Sequence, residues 1–185
     1  MSSRTPSDRW RSHLLPALLP RGMDGWLRDP GSLTARIRAR CDTFAVRVLR
    51  QRLDRVLADE APLLGLAPGE WAWVREVLLL ADGVPVVYAR SVMPRATVRA
   101  GSRLFATIGS RPLGAALFAN PRVVRGRLTC ARLDARDARH RAAATALAPQ
   151  PLPPELWGRR SVFRLRGRRL LVSEIFLPAI LDLPA

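Results

Sequence analysis

The chain contains no lysine: its 31 basic residues are all arginines, against 15 acidic residues, and the formal net charge is +16. Such a charge is typical of nucleic-acid binding. Complete use of arginine in a chain rich in alanine, leucine and proline instead indicates a coding bias acting on solvated positions. The arginines are spread along the chain and aromatic residues make up only 6%, so no stacking platform for bases is visible. Nucleic-acid binding is therefore not favoured.

Cysteine and histidine are equally scarce, which removes several classes of site. Cys41 and Cys130 are too few for a disulfide framework in a chain of this size, and free thiols in a reducing compartment are expected. His13 and His140 have no neighbours that suggest a catalytic triad or a metal site. The sequence also lacks a glycine-rich phosphate loop and a nucleophile elbow. No metal or cofactor is predicted.

Long apolar runs are absent as well, so no segment is expected to cross a bilayer. The first 20 residues carry a short apolar run that Pro16 interrupts, without a small-residue cleavage site, which does not match a signal peptide. We expect a cytoplasmic protein. A length of 185 residues with 48% hydrophobic residues fits one globular domain.

Local patterns predict an α+β domain on an antiparallel sheet flanked by helices, because runs typical of strands, then of helices, then of strands are joined by hairpin turns. Residues 1–22 are predicted to form an N-terminal arm and residues 23–185 the domain. The Ala/Arg-rich and Pro-rich stretch 134–154 is predicted to be a long exposed loop. Helices are predicted at 32–41, with Ser32 as its cap, at 97–108 and at 113–118, and a strand at 122–133.

The first predicted hairpin has Asp82-Gly83 as its turn, since both turn positions of a two-residue loop need positive φ. If Ala81 pairs with Val84, counting outward places Arg75 opposite Arg90 on one apolar face. Like charges directly opposite each other destabilise a sheet, and an anion held between the two guanidinium groups would relieve that cost. The sequence thus predicts a buried carboxylate site. The alternative is that both are solvated arginines of an edge strand.

Two later features could complete such a site. Pro112 fits the first turn of a helix, whose free N–H groups near Leu113 and Gly114 could bind an anion, although by themselves they are better explained by an ordinary helix start. A second hairpin, with its turn at Gly167-Arg168, carries Glu174 on a strand that should be buried. Buried acids are rare unless paired, so an ion pair with one of the arginines is the first expectation, ahead of catalysis.

Five blocks of the sequence together resemble the chorismate pyruvate-lyase family of bacterial ubiquinone biosynthesis, over roughly residues 25–179. They occur in the family's order and approximate spacing: WVREVLLLADG (73–83), ARSVMP (89–94), PLGAALF (112–118), LWGRRS (156–161) and SEIFLP (173–178). The resemblance implies an antiparallel sheet with helices that cover an internal ligand site.

The same resemblance implies site residues. Arg75 and Arg90 correspond to two active-site arginines, Leu113 to a residue whose backbone contacts the ligand, and Glu174 to a buried glutamate near the substrate hydroxyl. Leu33 falls where the family can carry a ligand-contacting methionine. The implied catalytic residues are Arg75, Arg90 and Glu174. The implied substrate-binding residues are Leu33, Arg75, Arg90, Leu113 and Glu174.

The implied activity is conversion of chorismate to 4-hydroxybenzoate and pyruvate without a cofactor, by a monomer that binds neither nucleic acid nor membrane through an integral segment. The rival interpretation is a non-catalytic domain of the same fold that senses a small anion. Such domains normally accompany a DNA-binding winged helix, for which the N-terminal stretch is too short.

Overall fold

A six-stranded antiparallel sheet forms the framework, with the strand order β1-β2-β3-β6-β5-β4. The structure is a computed structural model that describes residues 9–12, 19–100, 108–109 and 111–184. The strands are β1 (Phe44–Arg55), β2 (Trp71–Ala81), β3 (Val84–Pro94), β4 (Val123–Asp134), β5 (Glu155–Leu165) and β6 (Arg168–Phe176).

Short helices cover both faces of this sheet. They are α1 (Met23–Arg28), α2 (Leu33–Arg38), α3 (Ala61–Leu64), α4 (Arg95–Ala100), α5 (Leu113–Phe118) and α6 (Ala138–Leu147), followed by a 3-10 helix (Pro178–Asp182). No helix within the described ranges combines the length and the apolar character needed to cross a membrane. The predicted α+β class with an antiparallel sheet is confirmed.

The two faces of the sheet carry separate apolar clusters, because side chains alternate along each strand. On the front face, which bears Arg75, helices α1, α2 and α5 pack over residues such as Val77 and Val172. On the back face, which bears Arg90, helices α3 and α6 pack over residues such as Leu171 and Leu133. The side on which a polar residue lies therefore decides which helices can contact it.

Several local predictions are confirmed. The Ser32 side chain accepts a hydrogen bond from Ala35 N at 3.3 Å and caps α2, and α5 coincides with the predicted helix 113–118. The predicted strand 122–133 matches β4 within one residue at each end. The predicted helix 97–108 is described only as α4, and residues 101–107 lie outside the described part of the chain.

The first hairpin turns where it was predicted, but its register is different. Asp82 and Gly83 have φ of 49° and 80°, and Ala81 pairs with Val84. A bulge then intervenes, because Leu80 pairs with Pro85 while Leu79 already pairs with Val87. Proline has no N–H to donate to the ladder, and irregular pairing beside it is common.

The one-residue shift separates the two arginines of the predicted site. Arg75 pairs with Ser91, and Arg90 pairs with Glu76. The prediction that Arg75 and Arg90 lie opposite each other on one face is therefore wrong. A single extra residue in one strand sends every side chain beyond it to the other face.

The prediction of a loop over residues 134–154 is wrong for about half of this stretch. Residues 138–147 form α6, with Arg139, His140 and Ala143 buried. Alanine and arginine are strong helix formers, and the Asp137 side chain caps the first turn by accepting from Arg139 N at 2.8 Å. His140 has the structural role that was expected: its Nε2 lies 2.9 Å from the Pro153 carbonyl oxygen. His13 lies outside the described residues.

Part of the predicted N-terminal arm packs against the domain. Arg11 pairs with Cys130 of β4 through two backbone hydrogen bonds of 2.8 Å, and Trp10 is buried with its Nε1 donating to Asp59. The division of the chain at residue 23 remains a prediction.

Arg90 belongs to a network of buried ion pairs on the back face. Its Nε donates to Glu60 and its Nη1 to Glu76, both at 2.8 Å, and its side chain is only 4% exposed. Arg139 and Arg160 extend the network by donating to Asp59 at 2.9 and 2.7 Å. Each of these guanidinium groups has a carboxylate partner, so nothing here calls for an external anion.

The network also makes stability depend on pH. Burial alone would raise the pKa of Glu76, but hydrogen bonds from Arg50 and Arg90 hold this pKa below its usual value. A carboxyl group whose pKa is lowered on folding contributes stability above its unfolded pKa. That contribution is lost as the pH falls through the lower, folded value.

We expect Arg90→Met to lower the free energy of unfolding by about 3–5 kcal/mol, because it leaves Glu60 buried without its hydrogen-bonded counterion and Glu76 with Arg50 alone. Chemical denaturation at neutral pH measures this change. Arg47→Met is the control, since Arg47 is exposed on β1 and should shift stability by less than about 0.5 kcal/mol. Unchanged stability in Arg90→Met, together with lost ligand affinity, would contradict this assignment.

Candidate active site

Arg75 is a buried cation on the front face without an acidic partner among the described residues. It is 2% exposed, and its Nη2 donates to the carbonyl oxygens of Gly109 and Arg111 at 2.9 and 3.1 Å. Among the residues that the structure describes, its buried Nε has no hydrogen-bond partner. Burial lowers the pKa of Arg75, which expresses the cost of holding its charge away from water. A bound anion would offset that cost and satisfy the free N–H.

Glu174 is the carboxylate of the same face, and it pairs with an arginine as the sequence suggested. Arg159 Nε donates to Glu174 Oε2 at 2.6 Å, from a residue that is 1% exposed. Arg159 Nη1 also donates to the carbonyl oxygens of Trp26 and Asp29, both at 2.8 Å. These contacts fix the guanidinium between β5 and the end of α1, so that one oxygen of Glu174 is held in place.

The sheet register sets the distance between Arg75 and Glu174. Glu174 pairs with Ala89, and Ala89 pairs with Val77, which lies two residues beyond Arg75 on β2. Two strand spacings and two residues along a strand separate the Cα atoms by roughly 12 Å. A span of this length between the two Cα atoms can accommodate a small molecule between their side chains.

The residues between them are small or only partly covered, which leaves room above the sheet. Ala89 and Ser91 are the β3 residues of this face that lie between the strand positions of Arg75 and Glu174, and both have short side chains. The Glu174 side chain keeps 15% of its surface accessible although β6 is an inner strand of the sheet. An acidic side chain that stays partly accessible beneath covering helices indicates a recess above the sheet.

The first residues of α2 and α5 lie over this layer. Leu33 begins α2 and Leu113 begins α5, and both are buried in the front-face clusters. The two helix starts are neighbours: Thr34 Oγ1 lies 3.9 Å from the position that a Cβ atom on Gly114 would occupy. The N–H of a first helical residue has no acceptor within its own helix.

Positive charge exceeds negative charge across the described part of the face. Arg125 donates to Ser161 Oγ at 2.9 Å and to the Pro30 carbonyl oxygen at 2.7 Å. Burial, followed by the nearby charge of Arg159, lowers the pKa of Arg125. Arg75, Arg125 and Arg159 thus accompany Glu174, and this excess favours an anionic ligand.

Four of the five predicted site residues lie on the front face or in the helices that cover it, and the fifth lies on the back face. Arg75, Glu174, Leu33 and Leu113 belong to the front face or to the helices that cover it. Arg90 lies on the back face, where Glu60 and Glu76 occupy its guanidinium, so the predicted convergence of Arg75 and Arg90 on one ligand is corrected.

Two further arginines of the face were not singled out from the sequence. Arg159 lies in the block LWGRRS, and counting from the correct turn would have paired it with Glu174. The turn comprises Arg166 and Gly167, with φ of 50° and 76°, one residue earlier than predicted. The predicted turn would have placed Ser161 opposite Glu174. Arg125 carried no signal, because its strand was recognised but its face was not.

Comparison with known proteins gives this site a context. A family model described as "Chorismate lyase" matches residues 10–183. A protein of Aromatoleum aromaticum named "probable chorismate pyruvate-lyase" is 59% identical over 184 residues, covering 100% of both chains. A protein of an Azoarcus species with the same name is 60% identical over 171 residues, covering 91% of this chain and 90% of the relative.

Solved structures with similar architecture are remote in sequence. The C-terminal domain of the histidine utilization repressor from Pseudomonas syringae aligns with a TM-score of 0.54 and 11% identity, over 74% of this chain and 93% of that domain. At this level of identity the similarity concerns the fold alone. The family model and the full-length relatives, in contrast, establish that the chain belongs to the chorismate lyase family of enzymes.

Proposed function

We propose that the chain converts chorismate to 4-hydroxybenzoate and pyruvate, the first committed step of ubiquinone biosynthesis, as a monomer in the cytoplasm. One observation carries most of the weight: Arg75 is a buried guanidinium with only carbonyl acceptors, on the face that also holds Glu174. Chorismate offers groups that match both, namely carboxylates for the arginine and a ring hydroxyl for the glutamate.

The reaction needs positioning more than an added reagent. The ether bond between the ring and the enolpyruvyl group breaks, and its electron pair leaves with the enolpyruvyl oxygen. The hydrogen on the ring carbon that bears the hydroxyl is lost, and the methylene carbon of the side chain gains a hydrogen to become the methyl of pyruvate. The ring becomes aromatic, which drives the reaction, and the atoms of the two products add up to chorismate.

Arg75 is proposed to bind a substrate carboxylate and to hold the molecule against the sheet. A guanidinium can grip a carboxylate through two hydrogen bonds, and its fixed charge would stabilise the negative charge that develops on the departing oxygen. The Leu113 N–H and the Leu33 side chain are proposed to contact the ligand from the two helix starts. Holding the side chain over the ring would also favour direct hydrogen transfer to the methylene carbon.

Glu174 is proposed mainly to orient the substrate hydroxyl, with Arg159 as its positioning residue. Arg159 donates a charge-assisted hydrogen bond to Glu174 Oε2 and so fixes the orientation of the carboxyl group. Its free oxygen would accept from the ring hydroxyl. Proton abstraction by Glu174 is the competing route. It predicts that removing the carboxylate abolishes nearly all of kcat, whereas orientation of the hydroxyl predicts a smaller loss.

Arg90 has no ligand contact in this proposal. Its contribution is to keep Glu60 and Glu76 compensated behind β2 and β3, the strands that carry Arg75 and the floor of the recess. The anion-sensing alternative is supported only by similarity of fold to regulator domains, whereas the full-length relatives carry lyase names.

The proposed activity is tested by incubating the purified protein with chorismate. We expect pyruvate and 4-hydroxybenzoate to appear in equal amounts without added metal or redox cofactor. Chromatography measures 4-hydroxybenzoate, and a coupled dehydrogenase assay measures pyruvate. Binding of 4-hydroxybenzoate without any turnover of chorismate would instead indicate the sensing function.

We expect Arg75→Ala to weaken 4-hydroxybenzoate binding by roughly 100-fold, because the carboxylate loses its charged hydrogen bonds. Titration calorimetry measures this affinity. Arg75→Lys should bind with intermediate affinity, because it keeps the charge but loses the bidentate geometry, and Arg47→Ala should bind like the native protein. Full affinity in Arg75→Ala would refute the assignment.

We expect Glu174→Gln to reduce kcat by about tenfold or less, because the amide oxygen still accepts a hydrogen bond from the hydroxyl. Arg159→Met should reduce kcat further, because the carboxylate loses the guanidinium that holds it in place. Arg159→Lys should restore part of that loss, since it keeps a charged donor on the same strand. A near-complete loss of kcat in Glu174→Gln with product affinity intact would implicate proton transfer.

A further inference from the structure

One end of the sheet is built from two stretches of sequence without acidic residues. No aspartate or glutamate occurs within residues 83–133 or within residues 156–173. Antiparallel pairing joins them: Val124 of β4 lies opposite Arg164 of β5, which lies opposite Arg169 of β6. Six arginines of this end are exposed, namely Arg122, Arg127, Arg164, Arg166, Arg168 and Arg169.

These arginines lack the partners that others in the chain have. Within the described part of the molecule none of the six forms an ion pair, whereas arginines of the back-face network and of the sheet edges do. Arg164 and Arg169 form a like-charge pair directly across two strands, an arrangement that destabilises a sheet. An external anion would relieve it.

A groove beside this pair has a mostly apolar lining with exposed arginines around it. It lies between α3 and strands β4 to β6, and its volume is about 410 Å³. Its exposed arginines are Arg127, Arg164 and Arg169, which we call the rim. The apolar lining comprises Leu63 and Leu171, together with Pro62, Val124 and Val162, and Thr129, Arg160 and Ser161 contribute polar groups. We call this feature the arginine-rimmed groove.

Exposed apolar side chains line the groove itself. Val124 is 64% exposed, and Pro62 is exposed as well. Single exposed apolar residues are ordinary. Here they lie beside arginines that have no acidic partner among the described residues, and the combination of apolar and cationic side chains matches the boundary between phosphate groups and acyl chains in a bilayer.

Other occupants fit this surface less well. A second copy of the chain would bring like charges together, since the net charge is +16. A nucleic acid would pair with the arginines but would leave the apolar lining, including Val124, in contact with a polar backbone. We propose that the arginine-rimmed groove docks the protein on the surface of an anionic phospholipid bilayer. This inference does not rest on the proposed activity, because the groove opens on the back face of the sheet.

The test compares vesicle binding of the full chain and two matched triple variants. Arg127, Arg164 and Arg169 are changed together to Gln in the rim variant, and the exposed Arg21, Arg47 and Arg136 in the control variant. Co-sedimentation with phosphatidylcholine vesicles, with or without one-third phosphatidylglycerol, measures the partition coefficient. Chorismate turnover is measured in the same preparations. We expect it to be unchanged in the rim variant, which would show that this variant is folded and that vesicle binding is independent of the activity.

We expect binding to the anionic vesicles only. Each basic side chain near such a surface contributes about a fivefold factor, so the rim variant should lose on the order of 100-fold in partition. The control variant should stay within a few fold of the native protein. Val124→Ser should lower partition severalfold, whereas it would not affect binding of a free phosphate.

Three results would overturn the proposal. The first is that the native chain fails to bind anionic vesicles. The second is an equal loss in the rim and control variants, which would attribute binding to overall charge. The third is tighter binding to a 30-base-pair duplex than to vesicles, abolished in the rim variant and measured by fluorescence anisotropy, which would indicate a nucleic-acid surface.

Discussion

The cost of holding the Arg75 guanidinium inside an apolar layer without a carboxylate partner organises the front face of this protein. Two carbonyl oxygens accept hydrogen bonds from its Nη2, and its Nε has no partner among the described residues. A charge in that condition destabilises the free protein and stabilises a complex with an anion, so the same residue that weakens the fold provides affinity. The helices α2 and α5 are needed above it to exclude water, because a solvated guanidinium would bind a carboxylate only weakly.

The two faces of the sheet solve the problem of buried charge in opposite ways. On the back face Arg90, Arg139 and Arg160 each meet a carboxylate of the chain. On the front face Glu174 is the partner of Arg159 alone, and Arg75 is left over. Where charges are balanced internally the structure gains rigidity, and where they are not it gains a place for a ligand. The balanced network supports the unbalanced site, since the two share the strands β2 and β3.

Sequence patterns located most of the framework and part of the site. The Asp82-Gly83 turn, the Ser32 cap and the helix 113–118 follow from local chemistry, and each occurs as expected. The α6 helix was missed because its Ala/Arg-rich sequence lacks an apolar stripe, although its composition favours a helix. The pairing of Arg75 with Arg90 was also wrong, because a bulge beside Pro85 shifts the register by one residue. No rule that counts from a turn can anticipate such a bulge.

By itself the sequence determined the class of fold, the positions of the tight turns and the presence of an arginine and a glutamate on apolar strands, because these depend on residue type and on neighbours along the chain. Resemblance of motifs added the family. Only the tertiary structure decided which arginine faces the ligand layer. That choice depends on strand register and on which helix packs over each face, and both are set by contacts between residues far apart in sequence. Arg159 became the partner of Glu174, and Arg90 the partner of Glu60 and Glu76, through pairings of this kind.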